Sequence, residues 1–267
     1  NVGIKVEEVE GGERFKVSGR GELHLSILCE TMRREGYEIE VSQPQVILKQ
    51  VEGETYEPVE HLIVEVDPGY QGAAIEALGQ RKAEMKDMQN SAVGTVRMEF
   101  LISSRALIGF RGEFLMMTRG TGTMHHVFFD YQEYKGELPS RASGVLISQS
   151  GGKAVAYALW GLQERGEIFI HPGMDLYEGM IVGVNNKGHD LVVNSSREKK
   201  LTNMRSSGSD EAIQLVPPRE MTLEFALEFI EDDELVEITP KNIRLRKRYL
   251  NENDRKRNPS GRQFSSK

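Results

Sequence analysis

Alternation of apolar and polar positions opens the chain. Ile4 to Val9 and Arg14 to Val17 alternate on either side of Glu10-Gly11-Gly12, which predicts a β-hairpin. A helix is expected to start at Ser18-Gly19-Arg20-Gly21-Glu22, because Leu25, Leu28, Cys29 and Met32 recur at i, i+3, i+4 and i+7, with Gly36 as the stop. Strands follow at Tyr37 to Val41 and Val46 to Val51, separated by Pro44. The order ββαβ is most of a split βαβ sandwich without its leading strand and helix, as in a chain cut from a longer one.

The pattern then recommences. Glu57 to Val66 alternates as a long strand ending at Asp67-Pro68-Gly69-Tyr70, and Ala73, Ala74, Ala77 and Leu78 share one helical face. Lys86 to Gln89 and Val93 to Ser103 read as strands around Asn90-Ser91, Ala106 to Thr118 holds a short helix, and Thr121 to Tyr131 is a last strand. This is βαββαβ in full, the ferredoxin-like order. Its second half carries a Gly-rich break, Gly109-Phe110-Arg111-Gly112, richer than a connector requires.

Past Gly136 the signals become short and irregular. Gly144 to Ser148 is apolar, Ser150-Gly151-Gly152 is a turn, and Ala154, Tyr157, Ala158 and Gly161 form a small-residue helical face running to Gln163. Ile168 to Ile170, Met180 to Val184 and Leu191 to Val193 predict short strands. Thr222 is placed to cap a helix with Leu223, Ala226, Leu227 and Ile230 on one face; Leu223, Phe225, Leu227 and Phe229 also fit a strand, and helix is the reading favoured. Leu235 to Ile238 and Ile243 to Arg246 are strands, and Asn251 to Lys267 has the composition of a disordered tail. The expected class is α+β: two ferredoxin-like βαββαβ-type sandwiches, the first truncated, then a β-rich α+β domain, with bounds 1–52, 53–132 and 133–267.

No apolar run approaches the roughly 18 residues needed to span a bilayer, and a lone cysteine, Cys29, excludes an intrachain disulfide or a CxxC site. Both fit a cytoplasmic protein with Cys29 in a core. Charge changes the picture more. Against a net −7, residues 185–209 hold five cations and two acids, and residues 241–267 hold ten cations and two acids, which leaves −18 for the rest. Such segregation concerns partners rather than fold, and a basic loop with a basic tail suits nucleic acid, although a solvated loop and a solubilising tail fit composition equally.

Candidate chemistry is sparse. Ser148-Gln149-Ser150-Gly151-Gly152-Lys153-Ala154 sits between strand and helix like a phosphate loop, but Ile147 and Ala154 stand where a Walker A motif needs Gly and Ser or Thr. An anion site at Gly151 to Lys153, serving a small-molecule enzyme, is one alternative function; a protein-interaction module binding through its acidic remainder is another. His125 and His126, with Asp130, alternate across a strand and so cannot share one metal ion; one core and one surface histidine is expected, and His24 reads as structural. No catalytic constellation or metal site is found. Arg244 and Arg246 share one strand face, with Lys247 and Arg248 beside them; they suit phosphates, and pairing with the acidic run Glu231-Asp232-Asp233-Glu234 suits them comparably.

Three sets of motifs carry a resemblance. Gly19-Arg20-Gly21-Glu22-Leu23-His24-Leu25 resembles the GxGELHL signature in domain III of translational GTPases such as elongation factor G, and the second unit, with Tyr56-Glu57-Pro58 and Gly109-Phe110-Arg111-Gly112, resembles domain V. Gly188-His189-Asp190-Leu191, Lys199-Lys200-Leu201-Thr202-Asn203-Met204-Arg205 and Asp233-Glu234-Leu235-Val236-Glu237-Ile238-Thr239-Pro240 resemble the C-terminal domain peculiar to the BipA/TypA family. The resemblance implies the domain III, V and C-terminal part of a cytoplasmic, monomeric translational GTPase. GTP and Mg²⁺ would belong to a missing upstream domain, with no catalysis or cofactor in these residues. It further implies contact with the ribosome, 23S rRNA and the tRNA acceptor arm, and links to stress adaptation, virulence regulation and ribosome assembly. RNA contact then falls on Lys187, His189, Arg197, Lys199, Lys200, Asn203, Met204 and Arg205, with Gly109 to Gly112 as a ribosome-facing loop.

Overall fold

The computed structural model describes residues 3–9, 13–91, 94–138, 141, 143–198 and 213–258. They form two compact units, Asn1–Gln43 with Arg141–Lys267, and Pro44–Ser140. The chain opens as expected, with β1 (Lys5–Val9) paired antiparallel to β2 (Arg14–Ser18), α1 (Glu22–Arg34) and β3 (Ile39–Ser42). The turn at Glu10-Gly11-Gly12 lies outside the described residues.

The unit Pro44–Ser140 begins with β4 (Lys49–Val51) and β5 (Glu54–Val66), followed by the one-turn 3₁₀ segment Pro68–Tyr70 and α2 (Gln71–Gln80). Next come β6 (Glu84–Asn90), β7 (Val96–Ser103), the short helices α3 (Ser104–Leu107) and α4 (Phe110–Met117), and β8 (Thr123–Glu133). The spatial order β8-β5-β7-β6, antiparallel throughout, is the ferredoxin-like sheet that the βαββαβ pattern predicts. One face is covered by α2 and α4, where Leu62, Val64, Phe100 and Ile102 from the strands meet Ala74, Leu78, Phe110 and Phe114 from the helices. β8 is an edge strand, which is why His125 and His126 are both exposed rather than divided between core and surface; His126 pairs with Glu60.

The chain returns to the first unit with β9 (Val145–Ser148), β10 (Gly152–Lys153), α5 (Ala156–Gln163), β11 (Asp175–Leu176), β12 (Met180–Val184) and β13 (Leu191–Val193). It ends with α6 (Leu223–Phe229), β14 (Glu234–Ile238), β15 (Ile243–Lys247) and α7 (Glu252–Arg257). The six-stranded order is β13-β9-β12-β15-β14-β3, antiparallel except for β13 with β9. At β9 and β12 both faces are buried, which is why these strands read as continuous apolar runs without alternation. Val145, Ile147 and Ile181 point to a core shared with Cys29 of α1 and Leu223, Ala226, Leu227 and Ile230 of α6. Leu146, Met180 and Val182 point to the other, shared with Leu159 and Leu162 of α5.

The structure departs from the sequence pattern in several places. β3 runs along β14, Ile39 opposite Ile238 and Val41 opposite Val236, so residues before 44 share a sheet with the far end of the chain. By contacts, residues 44–52 and 133–140 group with the expected 53–132 domain in the unit Pro44–Ser140. The first ββαβ segment is accordingly divided among three sheets, because its apolar helix face finds α6 rather than strands of its own. On α5 the buried residues are Leu159 and Leu162, leaving Tyr157 and Gly161 outside. The tail is helical from Glu252 to Arg257: Asn251 caps it, accepting from the Asn253 amide, with Glu252 and Asp254 in the first turn and three cations in the last. Residues 259–267 of the expected tail lie outside the described residues. By contrast α6 is the helix that periodicity favoured, with the Thr222 side chain accepting from the Phe225 amide at 3.2 Å.

Candidate nucleic-acid interface

The root of the basic loop is a turn that hydrogen bonds hold on every side. Asn185 is buried; its Nδ2 donates to the His189 carbonyl at 2.6 Å and its Oδ1 accepts from the Lys187 amide at 3.2 Å. The Asn185 amide donates to the Gly144 carbonyl at 2.8 Å, and the Gly144 amide donates back to the Lys187 carbonyl at 2.8 Å. Asp190 closes the turn by accepting from the Val145 amide at 2.9 Å. The backbones approach so closely that a Cβ on Gly144 would lie 2.0 Å from the His189 carbonyl oxygen, and one on Gly166 would lie 1.7 Å from that of Val184. With every inward polar group occupied, Lys187, Gly188 and His189 are left exposed at the tip. Across β13 the Asn194 side chain accepts from the Ser196 amide at 3.1 Å, and Arg197 leaves the sheet exposed. Lys199, Lys200, Asn203, Met204 and Arg205 lie outside the described residues.

The basic strand divides differently from the expectation. Lys247 is 3% exposed, and its Nζ lies 2.7 Å from Asp190, 2.8 Å from Asp233 and 3.0 Å from Glu234. Burial would lower its pKa, but Glu234, Asp233 and Asp190 hold it above the usual lysine value, so the charge is kept and fully engaged. Lys247 therefore offers nothing to a phosphate. Arg246 pairs with Glu40 at 2.6 Å and Glu237 at 3.5 Å. Arg244 and Arg248 are half-buried, with Arg248 tied through its amide to the Asp233 carbonyl at 2.8 Å. The acidic run upstream takes up much of this charge because β14 and β15 are neighbours in the sheet. Arg141, which no sequence signal singled out, completes the cluster: it pairs with Glu234 at 3.0 Å and donates to the Phe229 carbonyl at 2.8 Å. Glu231, Asp233 and Glu234 lie close enough together to suit a cation, and Lys247 and Arg141 already fill that role.

Two further candidates change character. Gly109 takes the left-handed conformation at φ +72° and starts α4, so Phe110 is buried in the core while Arg111 and Gly112 face outward on the first turn. Only those two can meet a partner. Gly152 and Lys153 pair as β10 with β11, Gly152 opposite Leu176, instead of wrapping around an anion; Lys153 is exposed. Arg255, Lys256 and Arg257, counted above only as part of a basic tail, follow an Asn cap and an acidic first turn, a helix signature legible at the sequence level.

Similarity to known families falls in two parts of the chain. Residues 54–142 match the elongation factor G C-terminus, and residues 143–252 match the TypA/BipA C-terminal domain. Over 96% of its length the chain is 54% identical to the large ribosomal subunit assembly factor BipA of Escherichia coli strain K12. The chain belongs to the TypA/BipA family. Identity to the Haemophilus influenzae family member of the same name is also 54%, and to that of Buchnera aphidicola 53%. The chain spans 42% of the length of these relatives. Among the described residues no helix is long and apolar enough to cross a membrane.

Proposed function

We propose that the chain is the ribosome-docking, RNA-binding part of a BipA-type translational GTPase active in large-subunit assembly, a role that the relatives' name suggests. Its work is binding: GTP and Mg²⁺ chemistry is assigned to a separate domain of the family, in the cytoplasm, and any part in stress adaptation or virulence regulation follows from ribosome binding. The observation that carries this reading is the contrast between two groups of cations. Lys247 and Arg246 are consumed in internal ion pairs, whereas Lys187, His189 and Arg197 are held outward at the root of a basic loop. A built turn presents charge without the entropy loss of ordering its own base. In this reading 23S rRNA and the tRNA acceptor arm meet Lys187, His189 and Arg197 together with Lys199, Lys200 and Arg205, while Arg111 and Gly112 face the ribosome from the ferredoxin-like unit.

Cosedimentation of the chain with large ribosomal subunits across a salt series tests it. Each phosphate neutralised adds about 0.7 to 0.9 to the log–log salt slope, so replacing Lys199, Lys200 and Arg205 with alanine should flatten the slope by roughly 2. Unchanged binding by this variant would remove the loop from the interface.

A further inference from the structure

We infer that α5 presents a base-stacking platform for single-stranded RNA, formed by Tyr157 and Trp160, immediately beside the root of the basic loop. The inference rests on the RNA-binding role proposed above and adds a second kind of contact to it. Tyr157 and Trp160 lie one helical turn apart and so on one face, and they are 36% and 51% exposed, while Leu159 and Leu162 on the opposite side fill the core. A large amphipathic ring left half in water costs hydrophobic stabilisation that burial would have given, and the core beneath is already complete without it.

The neighbourhood selects the occupant. The amide of Val155, the residue before α5, donates to the Ser195 carbonyl at 3.0 Å, and a Cβ on Gly152 would sit 3.3 Å from Ser196. The start of α5 is thus fixed against residues 195 and 196, whose chain neighbour Arg197 is exposed, as is Lys153 just before the helix. Cations at the start of a helix that exposes an aromatic pair match a nucleic-acid strand: phosphates follow the cations and bases stack on the rings. Glu164, exposed one turn beyond Trp160, sets the direction, placing the backbone at the loop end of α5. Bases in a duplex are not free to stack on a side chain, so the ligand is a single strand or a splayed end.

Trp160 is the only tryptophan in the sequence, which makes the platform its own reporter. Titrating the chain with a single-stranded oligoribonucleotide of about 10 nucleotides, within the usual site size, should quench Trp160 emission, and a duplex of equal length should not. In anisotropy with labelled oligonucleotide, Trp160→Ala and Tyr157→Ala should each weaken binding roughly 5- to 150-fold, the equivalent of one base stack. Trp160→Phe should restore most of it. Circular dichroism and the urea midpoint check that these surface variants stay folded. Wild-type affinity in both alanine variants, or equal quenching by duplex, would overturn the platform. If those variants bind normally while Lys199, Lys200 and Arg205 to alanine still weakens ribosome binding, the platform fails alone; if neither set matters, the RNA-binding reading fails with it. Quenching by a protein partner and not by RNA would assign the face to a protein.

Discussion

Lys247 separates a structural cation from a functional one, and Lys247→Met tests which it is. The replacement keeps the apolar stem and removes only the charge, so packing changes little. Removing one partner of a buried ion pair costs about 3 to 5 kcal/mol, chiefly through the charges left behind. Here the side chains of Asp190 and Asp233 are 40% and 42% exposed, so water takes up part of their charge, and buried Glu234 keeps Arg141 at 3.0 Å. Both facts point to the lower end, about 3 kcal/mol. The folded-state pKa of Lys247 is raised, so its stabilisation is fully present below the unfolded lysine value of about 10.4 and is lost only as pH rises through the higher folded value. Neutral pH therefore shows the whole effect. Urea unfolding with linear extrapolation at pH 7 measures it. A variant within about 0.5 kcal/mol of wild type at pH 7, the scatter of ordinary surface substitutions, together with a salt slope of RNA binding lower by about 0.7 to 0.9, would refute the assignment and return Lys247 to the RNA surface.

Two other outcomes follow from named contacts. Gly144→Ala would drive a methyl group into the His189 carbonyl and break the paired hydrogen bonds with Asn185 and Lys187, at a cost above about 3 kcal/mol; hydrogen exchange should show the Asn185 amide losing protection ahead of the sheet. Glu30, held at a pKa of about 2 by hydrogen bonds from Arg33 and Arg34, contributes stability that is present above the unfolded value of about 4.3 and lost as pH falls towards 2. Glu30→Gln should flatten that part of the acid-unfolding curve by less than about 1 kcal/mol, because the pair is near the surface; an unaltered curve would mean that the two arginines do not hold Glu30.

Local order was legible in the sequence because local chemistry decides it. Thr222 and the Leu223, Ala226, Leu227, Ile230 spacing specify α6 without reference to anything distant, and the strand and helix order between Glu57 and Tyr131 limits the sheet to one common topology. What stayed hidden depends on pairs far apart in the chain. Nothing near Ile39 says that its partner is Ile238, nor near Lys247 that Asp190 waits across the sheet. The same limit applies to the candidate interface. Counting charge marked Lys187 and Lys247 alike, yet the fold sorts them oppositely: Asp190, Asp233 and Glu234 converge on Lys247, whereas among the described residues no carboxylate pairs with Lys187 at the exposed Asn185 turn. A basic segment is therefore a reservoir from which the sheet withdraws some cations for its own cohesion. Left for a polyanion are those that the turns, through close backbone contacts such as that of Gly144 with His189, keep outside the fold.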